Sequence, residues 1–400
     1  MLYRLALIIP LACGSGAPPG DAPYDGPPAY PNRRAPLELP AGEIGFVTNS
    51  YSDTVDVVEL ATLRRIRTFP IGRIPYDMDG PHHLRIHEAS DSIYVPLTYP
   101  NLRSPASTGP HSEHGTGTHA GYIQRFALSD FRDLGAVRVD ESPGDIAVSD
   151  DGRRVVVTHF DLARGISKGI PIDERRSSIV SLDSPKNFES ASVPVVRTRM
   201  CRAMHGVVLS PGSGNIAYAA CYLDDAMVRM DLVTKIFVVK PLGTALSTAD
   251  APEIGPYAVS MPPSAKLLAV TTTPTKDLRY LSTETLEPTM PPTPLGGAGY
   301  FPAWSPDERL IYVPTQGEDG LRIVDVATGK LLQQRVFSPA ECEKPHDVHL
   351  SRDGKRLYVV CEGDHAGVGA LVSMDTTSLE VTGRMTLGVY PDRLAVVVRP

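Results

Sequence analysis

Three histidines, His82, His205 and His346, occupy the same position in a segment that recurs seven times along the chain. Each follows the first residue of its segment, and the seven segments begin at Pro81, Pro143, Met204, Pro256, Gly299, Pro345 and Pro391. Imidazole nitrogens bind transition metals and form hydrogen bonds with polar ligands. The pattern therefore predicts a shared metal or ligand site, if the fold brings the segments together.

The spacing of the segments indicates how the fold does so. Successive starts are 62, 61, 52, 43, 46 and 46 residues apart, and a period in the forties is typical of propeller blades. Residues 344–388 read as one complete blade, because four short alternating stretches are separated by turn signals such as Asp353-Gly354. We predict an all-β protein, a seven-bladed β-propeller that spans residues 42–400.

The two ends of the propeller are predicted to complete one blade together. The last segment, from Pro391, has no further strands after it, whereas the strands within 44–69 have no inner strand before them. The C-terminal strand therefore closes the first blade, which hides two sheet edges that would otherwise promote aggregation.

Residues 46–72, FVTNSYSDTVDVVELATLRRIRTFPIG, resemble the YVTN or YncE-like family of β-propeller repeats. The segments SRDGKRLYV and SDDGRRVVV fit the turn and second strand of that family. The resemblance covers roughly residues 42–400. It implies the propeller fold but no particular activity, because one fold hosts many functions.

Two more distant resemblances imply enzyme activities. PHDVHLSRDGKRLYV is similar to segments of seven-bladed copper propellers, such as nitrous oxide reductase and the selenium-binding/methanethiol oxidase family, which implies copper-dependent redox chemistry at several histidines. The electron-entry domain and cysteine motif expected of nitrous oxide reductase are not found. Lactonase-type propellers place His, Arg and Glu around the channel mouth. This resemblance would assign His82, Arg85 and His346 to such a site, but the sequence offers no Glu that accompanies them.

Most histidines are predicted to lie on one face of the propeller. The loops before the inner strand and between the second and third strands of a blade share a face, which we call the top face. Nine of the eleven histidines fall on or near it. The candidate metal or ligand residues are His82, His83, His159, His205, His346 and His365, joined by Tyr257, Tyr300 and Asp392 at the repeat position of other blades. In an alternative interpretation, each imidazole simply braces its loop.

The insertion SPASTGPHSEHGTGTHAG, residues 104–121, adds His111, His114 and His119 to the same face. It is either part of the site or a polar loop, and the sequence leaves both interpretations open.

The inner strands alternate between apolar and polar side chains. One parity carries Leu84, Ile86, Val207, Leu209, Val348 and Leu350 and is predicted to form the core between blades. The other parity is predicted to line the central channel with Arg85, His87, Asp145, Asp347, His349 and Arg393. Buried charges there need partners, so we expect Arg393 to pair with Asp347 or Asp145.

Four of the five cysteines occupy matching positions in two repeats. Cys201 and Cys342 each precede a repeat histidine by four residues, and Cys221 and Cys361 each end the following strand. We predict two intra-blade disulfides, Cys201–Cys221 and Cys342–Cys361, which require an oxidising compartment. Metal ligation by Cys and His at this spacing is the alternative.

The N-terminus predicts export. Residues 1–13 read as a lipoprotein-type signal segment that ends at Cys13, the expected lipidation site, although an ordinary secretory signal is the alternative. Residues 14–41 are rich in Pro and Gly and form a tether. We expect a membrane-anchored monomer in the bacterial periplasm or on the cell surface.

Composition and motifs favour a binding protein. The formal charge of −7 comes without a basic stripe, which argues against nucleic acid. The sequence has no nucleotide-binding loop, no nucleophile elbow and no CxxCH motif for covalent haem. We therefore predict that the top face binds a small ligand, a protein partner, or copper or another transition metal.

Overall fold

The computed structural model describes residues 38–74, 77–103, 110–117, 119–183 and 195–400. Within them, the strands form seven antiparallel sheets, which confirms the seven-bladed β-propeller. Helical structure is confined there to α1 (Leu162–Gly165) and the single 3-10 turns Glu88–Ser90, His114–Thr116 and Ile172–Arg175. None of these helices is long and apolar enough to cross a membrane. The signal segment, Cys13 and most of the tether lie outside the described residues, so their assignment stays a prediction.

The strands of each blade follow one another in order from the axis outward. Blade 1 consists of β29 (Pro391–Arg399), β1 (Gly42–Asn49), β2 (Thr54–Glu59) and β3 (Arg64–Pro70). Blade 2 consists of β4 (Arg85–His87), β5 (Ser92–Leu97), β6 (Ala120–Ala127) and β7 (Asp133–Glu141). Blade 3 consists of β8 (Pro143–Val148), β9 (Arg154–His159), β10 (Ser177–Asp183) and β11 (Val195–Cys201).

The remaining four blades follow the same plan. Blade 4 consists of β12 (Met204–Leu209), β13 (Ile216–Cys221), β14 (Ala226–Asp231) and β15 (Phe237–Pro241). Blade 5 consists of β16 (Pro256–Ser260), β17 (Leu267–Thr272), β18 (Asp277–Ser282) and β19 (Thr293–Pro294). Blade 6 consists of β20 (Ala298–Gly299), β21 (Ala303–Trp304), β22 (Leu310–Gln316), β23 (Gly320–Asp325) and β24 (Lys330–Val336). Blade 7 consists of β25 (Pro345–Leu350), β26 (Arg356–Cys361), β27 (Val368–Asp375) and β28 (Val381–Val389).

Strand β29 closes the ring as predicted. It pairs antiparallel with β1, with Val397 opposite Ile44 and Arg399 opposite Gly42. Val397 and Ile44 are both buried, so the chain ends are joined by a packed blade as well as by backbone hydrogen bonds.

The apolar parity of the inner strands is buried between blades as predicted. Leu84, Val207 and Val348 are at most 4% exposed. Ile86, Leu209 and Leu350 are partly buried and pack against the same hydrophobic clusters. The polar side chains, which alternate with these apolar ones along each inner strand, therefore face the axis.

A left-handed residue directs the chain into most inner strands. In six blades the residue just before the repeat segment has a positive φ. These residues are Gly80, Ser142, Ala203, Gly255, Lys344 and Tyr390. Such a conformation turns the chain sharply. This turn places the second residue of each segment at the top of the axis. The residues at the repeat position of the different blades therefore lie close together.

Two aspartates of the polar parity join neighbouring inner strands in the same way. Asp145 accepts the backbone N–H of Val207 at 3.0 Å, and Asp347 accepts that of Leu394 at 2.9 Å. Both contacts cross from one blade to the next. They satisfy backbone groups that the sheets leave unpaired at the axis.

Both predicted disulfides are present. Cys342 lies in the connection after β24 and bonds to Cys361 at the end of β26. Cys201 is the last residue of β11 in blade 3, whereas Cys221 ends β13 in blade 4. The intra-blade assignment of that first bond is therefore wrong, because the outer strand β11 extends as far as the cysteine. The two bonds indicate folding in an oxidising compartment.

Replacing Cys342 and Cys361 together by Ser is expected to lower the free energy of unfolding by about 3 kcal/mol, because the bond closes a loop with a sequence separation of 19 residues. The measurement is the guanidinium midpoint of the oxidised protein and the double variant. Reduced wild-type protein, which loses both disulfides, should unfold at a lower midpoint than the oxidised variant, and an unchanged midpoint in the variant would contradict the prediction.

Candidate metal site

The repeat histidines lie in one buried cluster beneath the top face. His82, His205 and His346 are each 0% exposed, so the face does not present them to solvent. The described part of the insertion, residues 110–117, covers the cluster and adds His111 and His114 to it. This insertion is therefore not a solvated loop over the residues described.

Local packing holds the insertion in place. The N–H of Gly117 donates to Ser142 Oγ at 2.9 Å, and His111 Nδ1 lies 2.9 Å from the hydroxyl of Tyr257. At Gly115 a Cβ would lie 2.7 Å from Leu162, so only glycine fits against α1 there. These contacts fix His111 over the axis.

The first group of converging ligands, which we call group A, consists of His82, His83 and His205. One ligand atom from each lies within 4.8 Å of the others. The Nε2 atoms of His82 and His205 are 3.5 Å apart. His83 Nε2 has no hydrogen-bond partner although it is buried. Three imidazoles therefore face one another around a common point.

Carboxylates fix the orientation of two of these rings. His82 Nδ1 lies 2.8 Å from Asp392 Oδ2, and His83 Nδ1 lies 2.8 Å from Asp145 Oδ1. Each carboxylate accepts the Nδ1 proton, so that Nε2 is the ring nitrogen that can offer a lone pair to a metal ion. This carboxylate–histidine arrangement is common around protein-bound metals.

The second group, which we call group B, consists of His111, His346 and Glu362, whose ligand atoms also lie within 4.8 Å of one another. Glu362 Oε1 is 2.8 Å from His111 Nε2 and 3.8 Å from His346 Nε2. Its other oxygen, Oε2, lies 2.7 Å from His365 Nε2. All three members of group B are at most 6% exposed.

Burial governs the charge state of the cluster. It lowers the pKa of His346 to about 3, although Glu362 acts in the opposite direction. It also lowers the pKa values of His83 and His205 well below the ordinary range. Burial would raise the pKa of Glu362, but His111 and His346 hold it well below its usual range. At neutral pH the rings of His83, His205 and His346 are thus neutral, whereas Glu362 is ionised.

Aromatic rings close the cluster from above and from the side. Tyr390 stacks on His365 with ring centroids 3.7 Å apart, and Tyr51 meets Tyr390 edge-on at 4.7 Å. At the repeat position, Tyr257 stacks on His205 at 3.9 Å and Tyr300 lies 5.2 Å from His346. These rings exclude water from the cluster and restrict the motion of the histidines.

Strained backbone conformations accompany the cluster. His83, His111 and His365 have φ values of 61°, 49° and 68°. Left-handed residues other than glycine cost of order 1–3 kcal/mol and persist where the surroundings require them. Their concentration around both groups is typical of a functional site.

Charged residues of the polar parity lie along the axis next to the cluster. Arg85 contacts Asp145 at 3.3 Å, and Arg393 contacts Asp347 at 3.4 Å, which is one of the two expected pairings. The Arg393 guanidinium also lies 4.1 Å from the ring centroid of Phe301. The charges are therefore compensated in pairs.

Four histidines that the sequence placed at the site or in the channel lie outside groups A and B, and one of them, His365, contacts Glu362 of group B. His159 Nδ1 donates to the carbonyl oxygen of Ser178 at 2.8 Å, so its ring is held between β9 and β10. His87 contacts the carbonyl of Asp150 at 3.0 Å, and His349 lies 3.9 Å from Glu43. The last two sit at or near the C-terminal ends of inner strands, away from the ends that carry the cluster.

Comparison with known proteins extends the fold assignment. The family described as the lipoprotein LpqB beta-propeller domain matches residues 247–398. No sequence among the curated proteins matches the chain significantly. The family match covers less than half of the chain and identifies a β-propeller domain; it does not reproduce the predicted YVTN or YncE-like assignment.

Solved structures share the architecture over most of the chain. The periplasmic gluconolactonase PpgL of Pseudomonas aeruginosa has a TM-score of 0.63 at 16% identity, over 90% of this chain and 100% of that one. A putative 6-phosphogluconolactonase from Bacteroides uniformis has a TM-score of 0.61 at 16% identity, over 89% and 100%. Dihydro-heme d1 dehydrogenase NirN, in complex with DHE, has a TM-score of 0.56 at 16% identity, over 92% and 77%. At this identity the likeness is one of fold.

Proposed function

We propose that this protein is an extracytoplasmic β-propeller that binds a divalent transition-metal ion, copper or zinc, between the imidazoles of group A. The observation that carries the proposal is the convergence of His82, His83 and His205 with two of the rings oriented by carboxylates. Three imidazoles are a donor set that suits both ions.

The separation of the ring nitrogens supports this assignment. Ligand nitrogens of a tetrahedral zinc ion, each at about 2.0–2.1 Å from the metal, lie about 3.3 Å from one another. The His82 and His205 Nε2 atoms are 3.5 Å apart without any ion. A cation there would satisfy the lone pair of His83 Nε2, which has no hydrogen-bond partner.

The alternative interpretation as a structural cluster predicts a different behaviour. If His205 Nε2 donates to His82 Nε2, these two rings need no ion, but His83 Nε2 and His205 Nδ1 stay buried without partners. Unsatisfied buried groups cost about 1–3 kcal/mol each. Metal binding removes part of this cost, which favours the binding function.

The enzyme alternatives require substrate to reach the cluster. The histidines of groups A and B are at most 6% exposed. The lactonase set does gain the Glu that was not evident from the sequence, because Glu362 lies 3.8 Å from His346. Arg85, however, is engaged by Asp145. We therefore propose binding, with lactone hydrolysis or copper redox turnover as activities to assay after the metal is identified.

The lipid anchor at Cys13, and a partner on the top face, are proposals that go with this function. The cysteine pairs support an extracytoplasmic location. A lipid anchor would keep the metal-binding propeller at a membrane surface, where exchange with a partner takes place near the anchor.

The test is the metal content of the purified protein. Full-length protein, incubated with Cu²⁺ or Zn²⁺ in turn and then desalted, is expected to retain metal, and His205→Gln is expected to lose the ion held by group A. His159→Gln is the matched control, because His159 is equally buried but lies outside both groups. Wild-type protein that retains neither ion would overturn the proposal.

A further inference from the structure

We infer that the cluster contains a second, separate metal position, formed by His111, His346 and Glu362, which takes a divalent ion of the zinc class. This inference deepens the proposed function and rests on it. The two ligand sets share no residue. The cluster would thus hold two ions in neighbouring sites that have different ligands.

The distances in group B are compatible with an ion between its three ligand atoms. Glu362 Oε1 lies 2.8 Å and 3.8 Å from the Nε2 atoms of His111 and His346, around the spacing of about 3.3 Å expected between zinc ligands. Yet neither Nε2 atom has a partner in hydrogen-bond geometry. Both buried Nε2 atoms therefore face the same carboxylate oxygen, and an ion between them would be bound by all three atoms.

Each ligand of group B is held through its other polar atom. His346 Nδ1 donates to the carbonyl oxygen of Asp392, which leaves His346 Nε2 as an acceptor. His111 Nδ1 contacts the hydroxyl of Tyr257 at 2.9 Å. Glu362 Oε2, the oxygen that does not face His111 and His346, lies 2.7 Å from His365 Nε2. Such contacts on the far side of each ligand orient metal sites in proteins.

The chemistry of the donors favours zinc. Two imidazoles and one carboxylate form a ligand set that zinc uses in proteins, with a fourth position left over. His114 is 1% exposed, and neither of its ring nitrogens has a hydrogen-bond partner. Its ring lies 5.9 Å from that of His111 and 4.3 Å from that of His82. The His114 ring therefore lies next to a histidine of each group, although its nitrogens are not among the converging ligand atoms of either.

Asp392 connects the two positions. Its carboxylate orients His82 of group A, and its main-chain carbonyl orients His346 of group B. Glu362 contributes a negative charge that group A lacks, which offsets the repulsion between two buried cations. The sites are therefore linked but chemically distinct.

The experiment is a Zn²⁺ titration of metal-free full-length protein, with bound zinc measured by elemental analysis after gel filtration. We expect two ions per chain in wild type, one in Glu362→Gln, one in His205→Gln and none in the double variant. Glu362→Gln preserves size, and thermal unfolding followed by circular dichroism establishes that each variant is folded. His111→Gln, in the insertion outside the blades, tests the same position independently, and His159→Gln should keep two ions.

The outcomes separate the inference from the proposed function. A wild type that binds one ion, retained in Glu362→Gln and in His111→Gln but lost in His205→Gln, overturns the second position and leaves the first. Folded Glu362→Gln protein that loses both ions overturns the separateness of the sites. A wild type that binds no zinc and no copper overturns both.

Discussion

Deletion of residues 391–400 is expected to abolish cooperative folding. The deletion removes β29, the innermost strand of blade 1, together with the buried side chains of Asp392, Leu394 and Val397. Truncating a single buried Leu to Ala costs roughly 2–5 kcal/mol, whereas a whole domain is stable by about 5–15 kcal/mol. The loss also exposes the edge of β1. The measurement is the thermal or guanidinium unfolding curve of the truncated protein.

A permuted chain provides the control for this deletion. Because Arg399 lies opposite Gly42 in the antiparallel pair, residues 391–400 can be placed before Gly42 through a short turn, and the chain then ends at residue 390. All contacts of β29 are kept while the closure by the C-terminus is lost. The permuted protein is expected to fold, and a truncated protein that unfolds at the wild-type midpoint would disprove the role of β29.

The repeat made the fold predictable from sequence. Every predicted segment start falls at the entry to an innermost strand, because the turn signals and the alternation of the inner strands are local properties. The closure of blade 1 also followed, because the N-terminal strands lack an inner strand and the C-terminal segment supplies one. The blade predicted at residues 344–388 corresponds to blade 7, whose strands run from Pro345 to Val389.

The site was only partly predictable, because its members come from different kinds of segment. His82, His205 and His346 share a repeat position. In most blades a left-handed residue precedes the inner strand and turns the chain so that this position lies at the axis. His111 and His114 belong to an insertion without a counterpart in other blades, so no repeat argument could place them. Their spacing of three residues was the available signal.

Glu362 was missed as a site residue for a related reason. It directly follows Cys361, so the disulfide that fixes the end of β26 also fixes the carboxylate. In the segment CEGDHAG, the cysteine belongs to a repeated pattern and the histidine to the histidines of the top face, whereas the glutamate belongs to neither. The closeness of Glu362 to His111 depends on a contact between blade 7 and an insertion of blade 2, which lie far apart in the sequence.

Burial was the other property that the sequence did not indicate. The histidines were expected on a ligand-presenting face, yet rings such as Tyr390 and Tyr51 and the segment 110–117 cover them. Tyr390 precedes the repeat position in blade 1, where its left-handed backbone turns the chain. Its ring stacks on His365 because the two loops meet at the axis.

Replacing Asp392 by Asn is expected to weaken metal binding at group A by about 10- to 100-fold, the usual effect of losing a carboxylate that orients a metal-bound histidine. Burial would raise the pKa of Asp392, but His82 and the neighbouring donors hold it below its ordinary value. The carboxylate accepts from His82 Nδ1 at 2.8 Å, from Ser50 Oγ at 2.6 Å and from the N–H of His83 at 3.2 Å.

An amide at this position reverses one of those bonds. Because Asn offers one acceptor oxygen and one donor nitrogen, it cannot accept from all the donors that surround Asp392. When its NH₂ group faces His82, that ring must accept at Nδ1 and carry its proton on Nε2, the atom that points toward His205. The wrong tautomer then blocks the lone pair that group A needs.

The variant series separates this tautomer effect from a loss of stability. Asp392→Ala, which leaves several buried donors without a partner, is expected to cost about 3–5 kcal/mol of unfolding free energy as well as the metal. Asp347→Asn is the matched control, since Asp347 is a buried aspartate of the adjacent inner strand that contacts Arg393 and the N–H of Leu394. It should lose stability but keep the affinity of group A. Equal metal affinity in Asp392→Asn and wild type would show that Asp392 does not orient His82 for binding.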